Sequence, residues 1–161
     1  MLPYLRYKPK EAINDKGDNM ITENKSSLAG LDSRALANEA VKVLLEKLGR
    51  NVQLFDAQEY TSITDYYVNA TGKSSTHVAS LADDVADHFS ERGLAPYRVE
   101  GRSGKSWILV DFGSVIVNVF DSESRETYNF ERILPTEALV NIDDLVAEVD
   151  AKYNIQNKKE I

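Results

Sequence analysis

Two apolar runs, residues 107–112 and 115–121, constrain the fold more than any other part of the sequence. Only Gly113 and Ser114 separate them, and a two-residue connection led by glycine predicts a tight hairpin of antiparallel strands. One side of this hairpin is then wholly apolar and is expected to pack against helices. Its facing pairs are Ile108 and Val119, Val110 and Val117, and Phe112 and Val115.

The other side of the hairpin mixes aromatic, polar and charged side chains: Trp107, Leu109, Asp111, Ile116, Asn118 and Phe120. A mixed face of this kind is often a partner surface, because aromatic anchors contribute much of the binding free energy in protein interfaces. The alternative is that the C-terminal segment folds over this side and buries it. Alternation alone does not distinguish between a partner surface and a covered face.

The rest of the sequence predicts two helices and three more strands, five strands in all, which is typical of an α/β (α+β) fold. Two helices are predicted from apolar spacing, caps and glycines, one from after Asp32 or Ser33 to Gly49, and one from Ser74 or Ser75 to about residue 91. Three further strands are predicted at residues 52–57, 65–71 and 96–101. Because a helix joins the last two of these, they should run parallel in a right-handed crossover.

Three regions are expected along the chain. Residues 1–31 are polar and lack apolar periodicity, which is typical of a flexible extension. Residues 32–134 hold the strands and the first two helices and form the folded domain. Residues 135–161 form a C-terminal extension that is partly helical, because apolar residues recur there at helical spacing.

The net charge of -7 argues against a direct, sequence-specific nucleic-acid partner, since phosphate contacts need a basic surface. An acidic chain fits a basic protein instead. Candidate acids for such a contact are Asp65, Asp111 and, along the second helix, Asp83, Asp84, Asp87 and Glu91. A run of acids on a helix is also commonly an inert, solvated face.

No apolar run approaches the roughly 18 residues of a membrane span. Residues 1–20 mix acids with bases, unlike a secretory signal or a transit peptide. We therefore expect a cytoplasmic protein with no membrane contact. The oligomeric state is left open by the sequence, a homodimer included.

The ionisable residues do not form a catalytic or metal-binding pattern. Cysteine is absent, and His77 and His88 lie about 16 Å apart by helix rise, too far to share an ion. No nucleophile elbow occurs. Gly101 and Gly104 lack the spacing and the following helix of a phosphate loop. No metal, no cofactor and no enzymatic activity are therefore expected.

A nucleotidyl-transferring enzyme on the same kind of fold is the main alternative. Residues 72–75 (GKSS) join a strand to a helix, as the entry to a nucleotidyltransferase site does. Two-metal phosphoryl transfer also needs carboxylates that converge on paired ions. Asp111 and Asp121 lie instead at opposite ends of the predicted hairpin, so the fold is expected without the chemistry.

Five short segments keep the order and spacing of one set of motifs: residues 62–72 (SITDYYVNATG), 74–83 (SSTHVASLAD), 99–101 (VEG), 107–113 (WILVDFG) and 124–132 (SRETYNFER). Together they resemble the ribosomal silencing factor, or Iojap-like, family. Each motif is weak alone, but five in register are specific. The resemblance extends over roughly residues 31–134.

The resemblance implies that the strands form one mixed five-stranded sheet flanked by helices, a fold related to nucleotidyltransferases but without their catalytic carboxylates. It also implies binding to the large ribosomal subunit through a basic ribosomal protein on the intersubunit face, conventionally numbered fourteen. A factor bound there would block association with the small subunit and repress translation when nutrients are limiting. Relatives in chloroplasts and mitochondria act in ribosome assembly, so a large-subunit assembly factor is a further alternative.

The expected partner contacts come from two sources. By matching position, the resemblance implies Trp107, Asp111, Tyr128, Glu131 and Arg132. The mixed side of the hairpin and the acidic charge add Leu109, Asn118, Phe120 and Asp65. Two positions depart from the family pattern, since Ser114 replaces an acid and Asn118 replaces a histidine. If these positions touch the partner, the contact details should differ.

Overall fold

Helices and strands alternate along most of the computed structural model, which describes residues 26–159. The four α-helices are α1 (Ser33–Glu46), α2 (Ser75–Glu91), α3 (Ser122–Thr127) and α4 (Asp143–Lys159). The strands are β1 (Arg50–Asp56), β2 (Tyr66–Thr71), β3 (Arg98–Glu100), β4 (Trp107–Asp111), β5 (Val115–Phe120) and β6 (Leu139–Val140). Two single-turn 3-10 helices, Phe130–Arg132 and Thr136–Ala138, precede β6.

One mixed sheet has the strand order β3-β4-β5-β2-β1-β6. Its central strands β2 and β5 are parallel, and every other neighbouring pair is antiparallel. The predicted fold class is therefore confirmed, with six strands where the sequence indicated five. The additional strand pairs Leu139 and Val140 with β1. A two-residue strand is too short to show an alternating pattern, so it could not be predicted from alternation.

The predicted parallel strands, now β2 and β3, do run in the same direction but are not neighbours. The hairpin of β4 and β5 lies between them. All six residues of β5 are buried, as suits a central strand covered on both faces. The three residues of β3 are only half-buried, as suits a short edge strand. The strand whose residues are buried on both faces of the sheet, β5, therefore lies in the centre, and the half-buried β3 lies at the edge.

The register of the β4–β5 hairpin is confirmed. Ile108 pairs with Val119 and Val110 with Val117, and the Phe112 N–H donates to the Val115 carbonyl at 2.9 Å. The apolar side of the hairpin is buried beneath α1 and α2 as expected. Aromatic packing continues this core, since the rings of Phe89 and Phe112 lie 4.3 Å apart between centroids.

The predicted starts of α1 and α2 are also confirmed by their caps. Asp32 accepts a hydrogen bond from the Ala35 N–H at 2.8 Å, and Ser74 accepts one from the His77 N–H at 3.1 Å. Each side-chain oxygen satisfies a backbone donor that the first helical turn leaves free. These caps fix where the two helices that cover the apolar side of the sheet begin.

The end of α1 differs from the prediction, which assigned the stop to Gly49. Leu48 takes the left-handed conformation, with a φ of 65°. The N–H groups of Leu48 and Gly49 donate to the carbonyl oxygens of Leu45 and Leu44, as in a Schellman motif. Gly49 is needed for space instead, because an added Cβ would lie 2.9 Å from the Leu44 carbonyl oxygen.

Replacing Leu48 with glycine is expected to raise the free energy of unfolding by roughly 0.5–1 kcal/mol. Leu48 is 61% exposed, so little burial is lost, while the strain of the left-handed backbone is removed. Thermal and urea unfolding would measure the change. Leu31→Gly is the control, because Leu31 is also exposed but has no positive φ. An equal effect of both substitutions would contradict the expectation.

Both ends of the described chain pack against the domain. Residues 1–25 of the predicted flexible extension lie outside the described residues, but Leu28 is fully buried and its N–H donates to the Arg92 carbonyl at 2.8 Å. At the other end, α4 is tied to α1 by Lys42 with Glu148 and by Lys152 with Glu46. The packed part therefore begins before residue 32 and continues past residue 134. Within it, no helix has the length and apolarity to cross a membrane.

Candidate functional site

The sheet has a second face, opposite α1 and α2, on which the mixed side of the hairpin lies. Pairing across the sheet places these side chains on it: Gln53, Phe55, Tyr67, Asn69, Thr71, Arg98, Glu100, Trp107, Leu109, Asp111, Ile116, Asn118 and Phe120. Aromatic rings, amides and charges therefore share one surface. Whether this second face can bind a partner depends on how much of it is covered by the residues that follow β5.

The chain that follows β5 covers the central part of the second face. Phe130 packs on Phe55 and Tyr67, with ring centroids 5.3 Å and 4.9 Å apart. Leu134 and Ala138 are buried in the same small cluster. The alternative of a covered face thus holds over β1, β2 and β5. The margin formed by β3 and β4 stays partly exposed.

Trp107 lies at this margin and is held on several sides. Its ring stacks on Phe120 at 5.4 Å between centroids and packs against Tyr128 at 4.5 Å. Its Nε1–H donates to Asn118 Oδ1 at 3.0 Å, and Asn118 Nδ2 donates to Asn69 Oδ1 at 3.1 Å. Tyr128 is 49% exposed, so the indole and the phenol together present a fixed aromatic surface.

Two predicted contact residues need correction. Asn118 is 1% exposed and Phe120 is 0% exposed. A partner docking on this surface would not reach them, because the folded protein itself covers both side chains. They lie beside Trp107 on the neighbouring strand β5, and they support it by a hydrogen bond from the indole to Asn118 and by the stacking of Phe120.

A charged group lies on the same face, towards the other end of β4. Asp111 accepts hydrogen bonds from Arg98 Nε at 2.8 Å and from the Gly113 N–H at 2.7 Å. Arg98 also pairs with Glu100 at 3.0 Å. We call Trp107, Leu109, Asp111 and Tyr128, together with Arg98 and Glu100, the candidate surface. Arg98 was missed in the sequence, although its i, i+2 spacing with Glu100 in a predicted strand put both on one face.

The other predicted residues lie around this group. Asp65 donates its N–H to the Ser114 carbonyl, so it flanks the β4–β5 turn. Arg132 is exposed in the turn after Phe130, and no contact in the described part of the chain joins it to Trp107. The side chain of Glu131 lies outside what the structure describes. The structure thus places Trp107, Leu109 and Asp111 in a row on one face of β4, and Tyr128 packs on the indole at the Trp107 end of this row.

The ionisation of the Tyr67 phenol can be used to test whether Tyr67 is buried near Asp111 on the second face. Burial, and then the negative charge of Asp111, raise the pKa of Tyr67 above its ordinary value of 10.0. The folded protein therefore keeps this proton when the unfolded chain has lost it. The associated stability is fully present below pH 10 and falls as the pH rises through the raised pKa.

Tyr67→Phe is accordingly expected to lose less stability than the parent protein between about pH 9 and pH 11. Denaturant unfolding at several pH values in that window would measure the difference. Asp111→Asn in the parent protein removes the negative charge that contributes to the raised pKa of Tyr67. The loss of stability at alkaline pH should then become smaller without disappearing, because burial of the phenol remains. Parallel curves for Tyr67→Phe and the parent protein would show that the phenol is not held in this environment.

The acids of this region do not converge as a phosphoryl-transfer site requires. Asp121 caps α3 through the Ser124 N–H at 2.7 Å, and Asp111 is engaged at the other end of the hairpin. Between residues 26 and 159 there is no group of three histidine or acidic side chains that could hold a metal ion. Fold and surface define a class of small mixed α/β domain whose distinctive feature is an aromatic and charged surface.

Comparisons with known proteins identify the family within this class. The profile described as "Ribosomal silencing factor during starvation" matches residues 31–160, so this chain belongs to the family of ribosomal silencing factors. The match includes the segment after residue 134 that was expected to lie outside. The family is described by a regulatory role and not by a catalysed reaction.

Individual relatives agree with this assignment. Ribosomal silencing factor RsfS of Bacillus subtilis is 26% identical over 113 residues, which are 70% of this chain and 96% of that protein. RsfS of Haemophilus influenzae is 33% identical over 97 residues, 58% of this chain and 95% of that protein. The mouse protein "Mitochondrial assembly of ribosomal large subunit protein 1" is 27% identical over 115 residues, 70% of this chain and 49% of that protein.

Solved structures show the same fold. The crystal structure of a protein from Chromobacterium violaceum matches with a TM-score of 0.61 at 28% identity, covering 63% of this chain and 85% of that chain. A protein from Bacillus halodurans matches with a TM-score of 0.60 at 27% identity, covering 67% of this chain and 98% of that chain.

Proposed function

We propose that this protein binds the large ribosomal subunit through a basic ribosomal protein on its intersubunit face, conventionally numbered fourteen, and thereby prevents the small subunit from joining. On this proposal the protein acts in the cytoplasm and represses translation when nutrients are limiting. Support comes from membership of the silencing-factor family and from the name of the mouse relative, which refers to the large subunit.

The observation that carries the proposal is the partly exposed Trp107–Tyr128 pair, which lies on the same face of β4 as Asp111. A tryptophan that is fixed before binding loses little side-chain entropy when a partner covers it. Large aromatic side chains near the centre of an interface are the commonest source of binding free energy. The support from Phe120 and Asn118 gives Trp107 this fixed position.

The negative charge of the protein suits a basic partner. The chain carries a net charge of -7, and Glu100 and Asp111 lie on the same face of the sheet as the aromatic pair. Complementary charge increases the rate of encounter and weakens as salt rises, whereas buried aromatic contacts are less sensitive to salt. We expect binding to the large subunit to weaken at high ionic strength but not to vanish.

The mechanism is steric. A folded domain seated on the intersubunit face occupies space that the small subunit needs, so no chemical step is required. The efficiency of repression then follows the occupancy of the large subunit, which is set by the concentration of the factor relative to its Kd. Saturating amounts of small subunit should compete with the factor, because the two occupants exclude each other.

The test is co-sedimentation of the purified protein with separated subunits, followed by subunit joining at rising magnesium. Retention on the large subunit alone, with joining suppressed in proportion to occupancy, is the expected result. Retention on the small subunit, or on neither subunit, would overturn the proposal. Ovalbumin or another acidic protein serves as the control for nonspecific charge effects.

A role in assembly of the large subunit is a second candidate, favoured by the name of the mouse relative. It uses the same surface at an earlier time. Binding to the large subunit without any effect on joining would favour this candidate over silencing. Depletion of the protein in growing cells would then lead to accumulation of incomplete large subunits.

A further inference from the structure

Helix α3 is too short to be stable by itself. It has only six residues, Ser122–Thr127, and none of them is fully buried. Isolated helices of this length do not form in water, because the cost of nucleation is not recovered. The Asp121 cap fixes where the helix begins, but a cap does not hold a helix against a sheet. Contacts from the middle of the helix must do so.

Arg125 supplies those contacts. Its guanidinium donates to Thr71 Oγ1 on β2 at 3.2 Å. It also donates to the Asn51 carbonyl at 3.0 Å and to Gln53 Oε1 at 2.8 Å, both on β1. Its charged carbon lies 5.8 Å from the centroid of the Phe120 ring on β5. One side chain therefore joins α3 to three strands of the second face.

All three hydrogen-bond acceptors of Arg125 are uncharged. Burial lowers the pKa of this guanidinium, so its environment does not stabilise the charge as a carboxylate would. The planar fork of donors explains why an arginine is nevertheless used, because it reaches several acceptors at once with fixed geometry. A lysine ammonium could not span acceptors on two strands in the same way.

Tyr128 connects α3 to the candidate surface. It follows α3 directly, and its N–H donates to the Ser124 carbonyl at 2.9 Å. Its ring then lies against Trp107, 4.5 Å away between centroids. The position of Tyr128 over the indole therefore depends on where α3 rests on the sheet.

We propose that Arg125 is a positioning residue for the candidate surface: by pinning α3 to β1 and β2, it places Tyr128 against Trp107. The partner of this surface rests on the proposed function, but the positioning is a property of the free protein. It acts through Tyr128 and does not require that Arg125 touch the partner.

The free protein provides the first test, because Trp107 is the only tryptophan of the chain. In Arg125→Met, acrylamide quenching of its fluorescence is expected to rise to the level found in Tyr128→Ala. Arg50→Met, which removes a charge from an exposed residue of the same strand end, should leave quenching at the parental level. Parental quenching in Arg125→Met, or an equal rise in Arg50→Met, would overturn the proposal.

Arg125→Lys separates the geometry of the fork from its charge, and it replaces Arg125→Met if that variant does not fold. With the charge kept and the fork lost, quenching should still exceed the parental level. Affinity for the large subunit should fall about as far as in Arg125→Met. A lysine variant with parental quenching and parental affinity would show that charge alone matters, which contradicts positioning.

A double-mutant cycle on large-subunit affinity completes the test. If Arg125 acts through Tyr128, the losses in Arg125→Met and Tyr128→Ala should not add, and the double variant should bind like Tyr128→Ala. Fully additive losses would overturn the proposal. If the parent protein does not bind the subunit at all, the proposed function fails while the quenching result still decides whether Arg125 positions Tyr128.

Discussion

Trp107→Ala is expected to weaken binding to the large ribosomal subunit by more than about 1 kcal/mol, or at least roughly fivefold in Kd. The indole is held in place before binding by Phe120, Tyr128 and Asn118. Its truncation removes a large apolar surface whose ordering has no further entropic cost. It also leaves Asn118 Oδ1 without the indole N–H donor, which weakens the support beneath the surface.

The measurement is co-sedimentation or fluorescence anisotropy of a labelled protein with large subunits, after circular dichroism has shown that the variant is folded. Tyr153→Ala is the matched control. Tyr153 is an aromatic residue that is 57% exposed, but it lies on α4, which packs on α1 behind the other face of the sheet. Equal affinities of Trp107→Ala and the parent protein, or an equal loss in Tyr153→Ala, would show that the partner docks elsewhere.

Much of the hairpin could be predicted because two independent rules agree on it. A two-residue glycine turn fixes the register, and a side-chain period of two then decides which residues share a face. These rules together assign Ile108 and Val110 to the core, and Trp107 and Asp111 to the opposite face. The caps at Asp32 and Ser74 could be predicted for a similar reason, since they depend only on neighbouring residues.

The neighbours of each strand could not be predicted, because alternation indicates a face and not a partner. β3 was correctly expected to run parallel to β2, yet β5 and β4 lie between them. The same limit explains the burial of Asn118 and Phe120. Their side chains point to the same face as that of Trp107, but contacts that alternation does not indicate help to cover them, from Arg125 on Phe120 and from Asn69 on Asn118.

The two departures from the family pattern have different structural meanings. Ser114 contributes through its carbonyl oxygen, which accepts from the N–H groups of Asp65 and Tyr66. Any side chain at that position leaves this role intact. Asn118 instead uses its amide to link Trp107 to Asn69. This departure therefore changes the support beneath the aromatic pair and not the surface that a partner would meet.

The connection between β3 and β4 shows how closely the backbone approaches the candidate surface. Gly101 has a φ of 87°, in the left-handed region that favours glycine. An added Cβ would overlap the backbone carbonyl oxygen of Trp107. Gly104, three residues later, has open space, with Ser106 Oγ as the nearest atom at 4.0 Å. Of these two glycines, Gly101 is thus required by the geometry of the backbone and Gly104 is not.

Gly101→Ala is accordingly expected to lower the free energy of unfolding by about 3 kcal/mol or more, because backbone strain and a backbone overlap act together. Thermal unfolding should show a decrease in Tm on the order of 10 °C. Gly104→Ala is the control on the same loop and should stay within about 0.5 kcal/mol of the parent protein. Trp107 shares the strained contact, so its fluorescence should change in Gly101→Ala and not in Gly104→Ala. Equal Tm values for the two variants would mean that the β3–β4 connection does not hold Trp107 in the described way.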